Sequence, residues 1–242
     1  MQLCISHDLA EELVLPIQYH HILQSVIYHN LREEHGYSGF LHEEGYASRD
    51  RQFRLFTFSL LQGRYSIQNR QIVFRNSVSF EVRSADVRMI RILQKNLETK
   101  GITYIKQHYE NLQLKLSDRT IATDSVRIRM RSPICVYSTD PGSKKTYFYR
   151  PQEEAFSALL NANFHRKYKA FTGMEPGSDI KVRTVLVNDR DKYVTKYKGF
   201  YINGWFGEYE LTGEPKYLDF LYQTGLGSKN AQGFGMFEIV ES

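Results

Sequence analysis

Apolar positions change period along the chain, and the order of those changes occurs twice. Residues 1–5 are short and β-like. Pro16 stands where a helix opens, a position that suits its missing N–H. Beyond it Ile17, Leu23, Val26, Ile27 and Leu31 recur at spacings of three and four, which predicts one buried helical face with Tyr28 beside it. The helix runs out near Glu34, before Gly36. The segment SGFLHEEG predicts one or two helical turns with Ser38 as N-cap, and residues 46–51 read as a loop. Residues 53–61 read as a strand with Phe56 and Phe58 on one side and Leu55 and Thr57 on the other; residues 72–74 and 78–82 predict further strands or one bent hairpin. Ser84 is the expected cap of an amphipathic helix carrying Val87, Ile90, Leu93 and Leu97, which ends at Lys100-Gly101. Leu112, Leu114 and Leu116 alternate in a closing strand. The order is β-α-β-β-α-β.

The second half repeats it. Val126, Ile128 and Met130 alternate with Arg127, Arg129 and Arg131. A short strand at 147–150 follows a turn at Pro141-Gly142, and Pro151 precedes a helix with Phe156, Leu159, Leu160 and Phe164 on its core side. Residues 181–187 and 199–205 are the next strands, Pro215 starts the last helix, and residues 234–240 close the sheet. The pattern predicts an α+β protein of two tandem ferredoxin-like (RRM-like) domains, 1–120 and 121–242, joined by a short linker. The halves share an order of elements and little residue identity. RNA-recognition modules use this topology, but their sheet signature, K/R-G-F/Y-G/A-F-V-x-F/Y, is absent, so bases stacking on the open sheet are not expected.

Composition narrows the function classes. The 242 residues are 41% hydrophobic and 14% aromatic, ample for a buried core, with a net charge of +5. Dividing the chain after Ala122 gives 15 basic minus 13 acidic residues, or +2, and then 17 minus 14, or +3. Neither half is a basic tail, so a polyanion site has to come from local clustering. Cys4 and Cys135 are the only cysteines, which excludes a disulfide framework and a CxxC metal site. No pair among the eight histidines has a recognised ligand spacing, so neither metal nor cofactor is expected. No signal peptide and no run approaching a membrane span is read, so the expectation is a soluble, cytoplasmic protein.

Two features point to a polyanion. Near the C-terminus GLGSKNAQGFGMF places Gly225, Gly227, Gly233 and Gly235 in two pairs around Ser228, Lys229, Asn230 and Gln232. Glycines permit positive φ and close approach, and bare loop amides with a lysine would cradle phosphate. The motif is neither a Walker loop nor a dinucleotide fingerprint, because here a helix precedes the glycines and a strand follows. A ligand-free helix-to-strand turn is the alternative. Period-two spacing puts Arg127, Arg129 and Arg131 on one strand face. They face either RNA phosphates or carboxylates of a neighbouring strand. Lys144/Lys145 and Arg166/Lys167/Lys169 read as solubilising clusters.

The succession of a helix, GhGxxxxxGhG (h apolar) and a final strand resembles the C-terminal signature of the CRISPR repeat-processing endoribonucleases, the sixth Cas family. LPIQYHHILQSVIYHNL resembles that family's first helix, SGFLHEEG its short histidine-bearing helix, FRLFTFSLL the strand after it, and SPICV (132–136) the start of its second domain. The resemblance implies a catalytic group of Tyr28, His42 and Arg54, where the family members in question carry lysine in place of Arg54. It implies RNA contacts by Gly225, Gly227, Ser228, Lys229, Asn230, Gly233 and Gly235, with Arg127, Arg129 and Arg131 as further candidates. The implied reaction is metal-independent: the 2′-hydroxyl attacks its own 3′-phosphate, leaving 2′,3′-cyclic phosphate and 5′-hydroxyl ends, so DNA is not cut. The implied partners are CRISPR repeat RNA and crRNA, with an effector complex and a homodimer both compatible with the family. The alternatives are a non-catalytic crRNA-binding subunit and a domain pair that binds a small phosphorylated ligand.

Overall fold

A computed structural model describes residues 1–32, 45–48, 51–197 and 199–240. Strict alternation of buried and exposed positions builds the first sheet. In β1 (Gln2–Asp8) Leu3, Ile5 and His7 point inward, and in β2 (Leu13–Pro16) Leu13 and Leu15 do. Helix α1 (His20–Leu31) follows, then a short hairpin of β3 (Tyr46–Ser48) and β4 (Arg51–Phe53). Next come β5 (Phe56–Phe58), β6 (Gln62–Gln68) and the long β7 (Gln71–Ser84). Helix α2 (Val87–Lys100), a hairpin of β8 (Ile102–Tyr104) with β9 (Gln107–Tyr109), and β10 (Gln113–Ser117) complete this half. The sheet path runs β10-β1-β7, with β5 on the far side of the C-terminal part of β7; β2 and β6 extend its N-terminal part. Leu3 lies opposite Val82 and Leu116, and Ile5 opposite Phe80 and Leu114, forming one apolar floor under α1 and α2.

The second half follows the same plan. It comprises β11 (Ser125–Met130), a hairpin of β12 (Tyr137–Thr139) and β13 (Thr146–Phe148), α3 (Glu154–Thr172) and β14 (Lys181–Leu186). A hairpin of β15 (Lys192–Tyr197) and β16 (Phe200–Trp205), then β17 (Glu208–Thr212), α4 (Pro215–Thr224) and β18 (Phe237–Ile239) complete it. The sheet order is β14-β17-β11-β18. Both sheets therefore have the 2-3-1-4 order of tandem ferredoxin-like domains, with extra hairpins inserted between core elements.

Several local expectations change. Pro16 ends a strand instead of opening a helix, because Leu13 and Leu15 pair with β7; α1 starts at His20 and Ile17 is exposed. The N-cap of α2 is Asp86, whose carboxylate accepts from the Arg88 amide, while Ser84 Oγ accepts from the Asp86 amide. The predicted strand 53–61 is broken at Leu55, which has φ 48°. Residues 72–82 form one strand instead of two. Residues 200–205 belong to the β15–β16 hairpin, and the third strand of the second sheet is β17, which sequence reading did not separate.

The two halves interlock through polar groups. Arg83, 2% exposed, donates to the Phe237 carbonyl and the Gln2 side chain and lies with its guanidinium carbon 3.9 Å from the Tyr222 ring centroid. Thr57 Oγ1 donates to Phe234 O at 3.0 Å, and Gln24 Nε2 donates to Ala231 O at 2.6 Å. His20 is buried and held near pKa 4 by desolvation, so its ring is neutral at physiological pH. Its Nδ1 faces the Gln232 carbonyl at 3.1 Å and must carry the proton, which leaves Nε2 to accept from the Tyr193 hydroxyl.

Candidate active site

Tyr28 lies at the edge of the buried face of α1, half-buried, where α1 turns toward β5. Arg54 reaches it from the break between β4 and β5. The left-handed backbone at Leu55 turns that side chain into the core of the second half and ends the strand just after Arg54. Gly45, at φ 57°, leaves room for the guanidinium; a Cβ there would strike Arg54 and the Phe53 carbonyl. The Arg54 guanidinium lies near enough to the Tyr28 hydroxyl to favour its ionised form, and its Nη2 donates to Gln52 Oε1 at 3.4 Å. Burial raises the Tyr28 phenol above its ordinary value, and the nearby cation only partly opposes this. Tyr28 is therefore a proton-bearing donor at neutral pH, not a phenolate base.

The glycine loop is organised differently from a cradle of bare amides. Its N–H groups are largely consumed inside the protein: Gly225 donates to Leu221 O, Leu226 to Gly235 O, Ser228 to Cys135 O, Gly233 to Asn230 O and Gly235 to Pro133 O. The glycines are there because other atoms press against them. A Cβ on Gly233 would meet the Phe58 ring and His20, one on Gly235 the Leu226 carbonyl, one on Gly227 the Cys135 carbonyl, and one on Gly225 Thr57 and Asn230. All four have φ between 66° and 83°. Gly225, Gly233 and Gly235 are thus buried packing positions of the loop, while Ser228, Lys229, Asn230 and Gln232 face the cleft.

Sequence reading missed the residue that frames this loop. Lys167 was assigned to a solubilising cluster, yet it is 2% exposed, because α3 lies against the loop on that side. Its Nζ donates to Gly225 O at 2.5 Å and to Asn230 Oδ1 at 3.2 Å. The Asn230 amide in turn donates to Leu226 O and Phe234 O, both at 3.0 Å. Desolvation holds the lysine at a pKa of about 7. The only sequence signal was its place on the core side of α3, three residues after Phe164.

These elements enclose a cleft of about 540 Å³ between the two halves. Tyr28, Gln24, Arg54, Lys167, Ser228, Lys229, Asn230 and Gln232 line it, with Gly227, Tyr137 and Asn163. Lys229 Nζ stands 4.9 Å from the Tyr137 ring centroid. Arg54, Lys229 and Lys167, the last only partly charged at neutral pH, line the cleft, and no Asp or Glu is among its described lining residues. Such a wall attracts a polyanion and concentrates it where Tyr28 sits. His42 lies outside the described residues. Among the described residues no three His, Cys, Asp or Glu side chains gather as a metal site, and no helix is long and apolar enough to cross a membrane.

The strand arginines lie elsewhere. Arg127 and Arg129 both clasp Glu208, at 2.7 and 2.6 Å; Arg129 also approaches Glu238 at 3.7 Å. Arg131 sits between Glu238 at 3.4 Å and Glu81 at 3.9 Å. Their face of the sheet is thus paired with carboxylates from neighbouring strands, and none of the three lines the cleft.

Comparison with known proteins bears on the family and the fold. Residues 114–239 match the family model described as CRISPR associated protein Cas6, C-terminal. The chain is 30% identical over 108 residues to the CRISPR-associated endoribonuclease Cas6 of Pyrococcus furiosus, a match spanning 45% of this chain and 39% of that relative's length. It is 24% identical over 237 residues to the CRISPR-associated endoribonuclease Cas6 1 of Methanocaldococcus jannaschii, covering 94% of this chain and 88% of the other. Its fold superposes with a TM-score of 0.82 on the product of a Cas6-related gene from Pyrococcus furiosus, at 20% identity, covering 100% of this chain and 98% of that one. An RAMP protein binding different RNA substrates superposes at 0.83, also at 20% identity, with both chains fully covered. The family model takes in more than half of the chain and includes the glycine loop and the strands that hold it, and the chain belongs to the CRISPR-associated Cas6 family.

Proposed function

We propose that the cleft cuts CRISPR repeat RNA without a metal ion, by attack of a 2′-hydroxyl on its own 3′-phosphate. The observation that carries the reading is a cleft lined by Arg54, Lys229 and the partly charged Lys167 together with a half-buried, protonated Tyr28, with no carboxylate among the described lining residues. The substrate class follows from the relatives, which are named CRISPR-associated endoribonucleases. In the reaction the 2′-O–P bond forms and the P–O5′ bond breaks. The 2′-hydroxyl proton passes to a base, and the 5′-oxygen takes a proton from water as it leaves. An imidazole titrates near neutrality and suits the base, and we assign that role to His42. Tyr28 keeps its proton, so it donates a hydrogen bond to the phosphoryl group or the leaving oxygen. Arginine does not give up a proton, so Arg54 stabilises charge on the phosphoryl oxygens. DNA lacks the nucleophile and is bound at most.

The deciding experiment is cleavage of a CRISPR repeat transcript in EDTA by wild type, His42→Ala and Tyr28→Phe. Cutting at one site to give a 5′-hydroxyl end, lost in His42→Ala and slowed about 10²-fold or more in Tyr28→Phe, is the expected result. Tight binding without cutting by all three proteins would replace the enzyme with a crRNA-holding subunit. No binding by any of them would remove RNA as the ligand.

A further inference from the structure

A second, smaller cavity opens from the cleft. It has a volume of about 160 Å³ and lies between α3 and the β12–β13 hairpin. It shares Tyr137, Asn163 and Ser228 with the cleft, so a group attached to a phosphate in the cleft has a short path into it. Leu159 and Ala162 from α3 and the Tyr137 ring give it an apolar side, and Ser138, Thr139, Asn163, Arg166 and Ser228 make the rest of its lining polar. A cavity of about 150 Å³ admits a benzene ring; this one has room for a flat heterocycle and none for a whole nucleotide.

Asn163 is 5% exposed, and its side-chain oxygen, Oδ1, lacks a protein partner among the described residues. A buried amide oxygen left in that state costs about 1–3 kcal/mol, yet an asparagine stands on the core side of α3 between Leu160 and Lys167, where an apolar residue would pack without that penalty. Its amide offers an acceptor beside a donor, the pattern that pairs bidentately with a base edge, adenine above all. Sequence-specific proteins read single-stranded RNA in this way, with splayed bases stacked on aromatic rings and their edges hydrogen-bonded.

We propose that this cavity is a nucleobase subsite, in which Asn163 reads the edge of an RNA base flanking the scissile phosphate while Tyr137 packs on its face. The proposal rests on the reading of the cleft as the RNA site, and extends it from phosphate recognition to base selectivity.

The test is a base scan. Repeat RNAs carrying a 2′-deoxy residue at the cleavage position, and so not cleavable, are varied to each of the four bases at every position within two of the cleavage site. Affinities are measured for wild type, Asn163→Ala and Ala162→Phe; the last introduces a ring from an exposed helical position to fill the cavity without touching the core. The expected result is that wild type prefers one base at one of these positions by about five- to a hundred-fold, with adenine favoured, and that both variants flatten the preference while still binding RNA. A wild-type profile with no preference, or one that survives unchanged in both folded variants, overturns the subsite and means that Asn163 Oδ1 holds only a structural water. Cleavage of the matching all-ribose RNAs separates the two readings. Wild type that cuts while showing no base preference leaves the nuclease standing and removes the subsite. Wild type that never cuts, but whose base preference both variants erase, does the reverse.

Discussion

At the scale of single residues, burial decides which charged groups do chemistry. Lys167 and Lys169 are two residues apart on one helix; the first is sealed under the glycine loop, and the second pairs with Glu175 in solvent. An unfolded lysine titrates near pH 10.4, and Lys167 near 7 in the fold. The folded protein therefore binds fewer protons than the unfolded chain between these values, and the lysine's contribution to stability rises with pH across that window. Replacing it, Lys167→Met, leaves Gly225 O and Asn230 Oδ1 without their donor, at a cost of about 1–3 kcal/mol. Melting temperatures from pH 7 to 10 should show wild type gaining on the variant as pH rises; parallel curves would mean that Lys167 is not titrating there. A similar contrast separates the cations proposed to meet RNA. Arg129 is held by Glu208 and Glu238, whereas Lys229 faces the cleft over Tyr137. Lys229→Ala should reduce the slope of log affinity against log salt by about 0.7, and Arg129→Ala by clearly less. Equal reductions would put the sheet face back among the RNA contacts.

At the scale of elements, the glycine loop shows how a sequence motif can be recognised and its physics misjudged. The spacing of Gly225, Gly227, Gly233 and Gly235 was legible. Their role in presenting bare amides was not, because which amides are free depends on what packs against them. Here Thr57, Cys135, Phe58 and Leu226 fill the space that side chains would occupy, and Pro133 O takes the Gly235 amide. Gly233→Ala forces a left-handed residue, costing about 1–2 kcal/mol, and pushes a methyl into the Phe58 ring, adding about 1–3 kcal/mol of overpacking. It should lower the melting temperature, and RNA affinity should fall only in step with the folded fraction, as followed by circular dichroism and binding on the same samples. A stable variant with lost RNA affinity would restore the glycine as a direct contact. The break at Leu55 is a second element that periodicity could not show. Phe53, Phe56 and Phe58 look like one strand, and only the left-handed turn between them brings Arg54 beside Tyr28.

At the scale of the whole molecule, the candidate site exists because two ferredoxin-like halves meet around buried polar bonds. His20 is the titratable member of that contact. Its folded pKa, near 4, lies below the ordinary 6.5, so the folded protein resists protonation. The stability tied to the neutral ring is fully present above pH 6.5 and is lost as pH falls toward 4, by on the order of 3 kcal/mol. The groups around it are the Gln232 carbonyl, the Tyr193 hydroxyl and His21. In His20→Gln, which keeps a donor and an acceptor but does not titrate, the loss between pH 6.5 and 4 should shrink in urea titrations. An unchanged acid profile would mean that other groups govern it.

From periodicity the sequence showed the four helices found among the described residues and most of the core strands, but not β17, the third strand of the second sheet. Periodicity reports which residues seek an apolar face, and that is a local property. Motif order also carried a resemblance to one family, which implied roles for Tyr28, Arg54 and the residues between the glycine pairs. The tertiary structure alone decided which charges are cancelled and which are free to act. Arg127 and Arg129 look as basic in sequence as Lys229, but Glu208 lies 79 residues or more beyond them along the chain. Lys167 looks solvated until α3 is laid under the loop. Whether a charge is paired, desolvated or open to a ligand depends on neighbours that only folding supplies, so the same residue type became a strand-to-strand tie, a buried strut and a candidate RNA contact in one molecule.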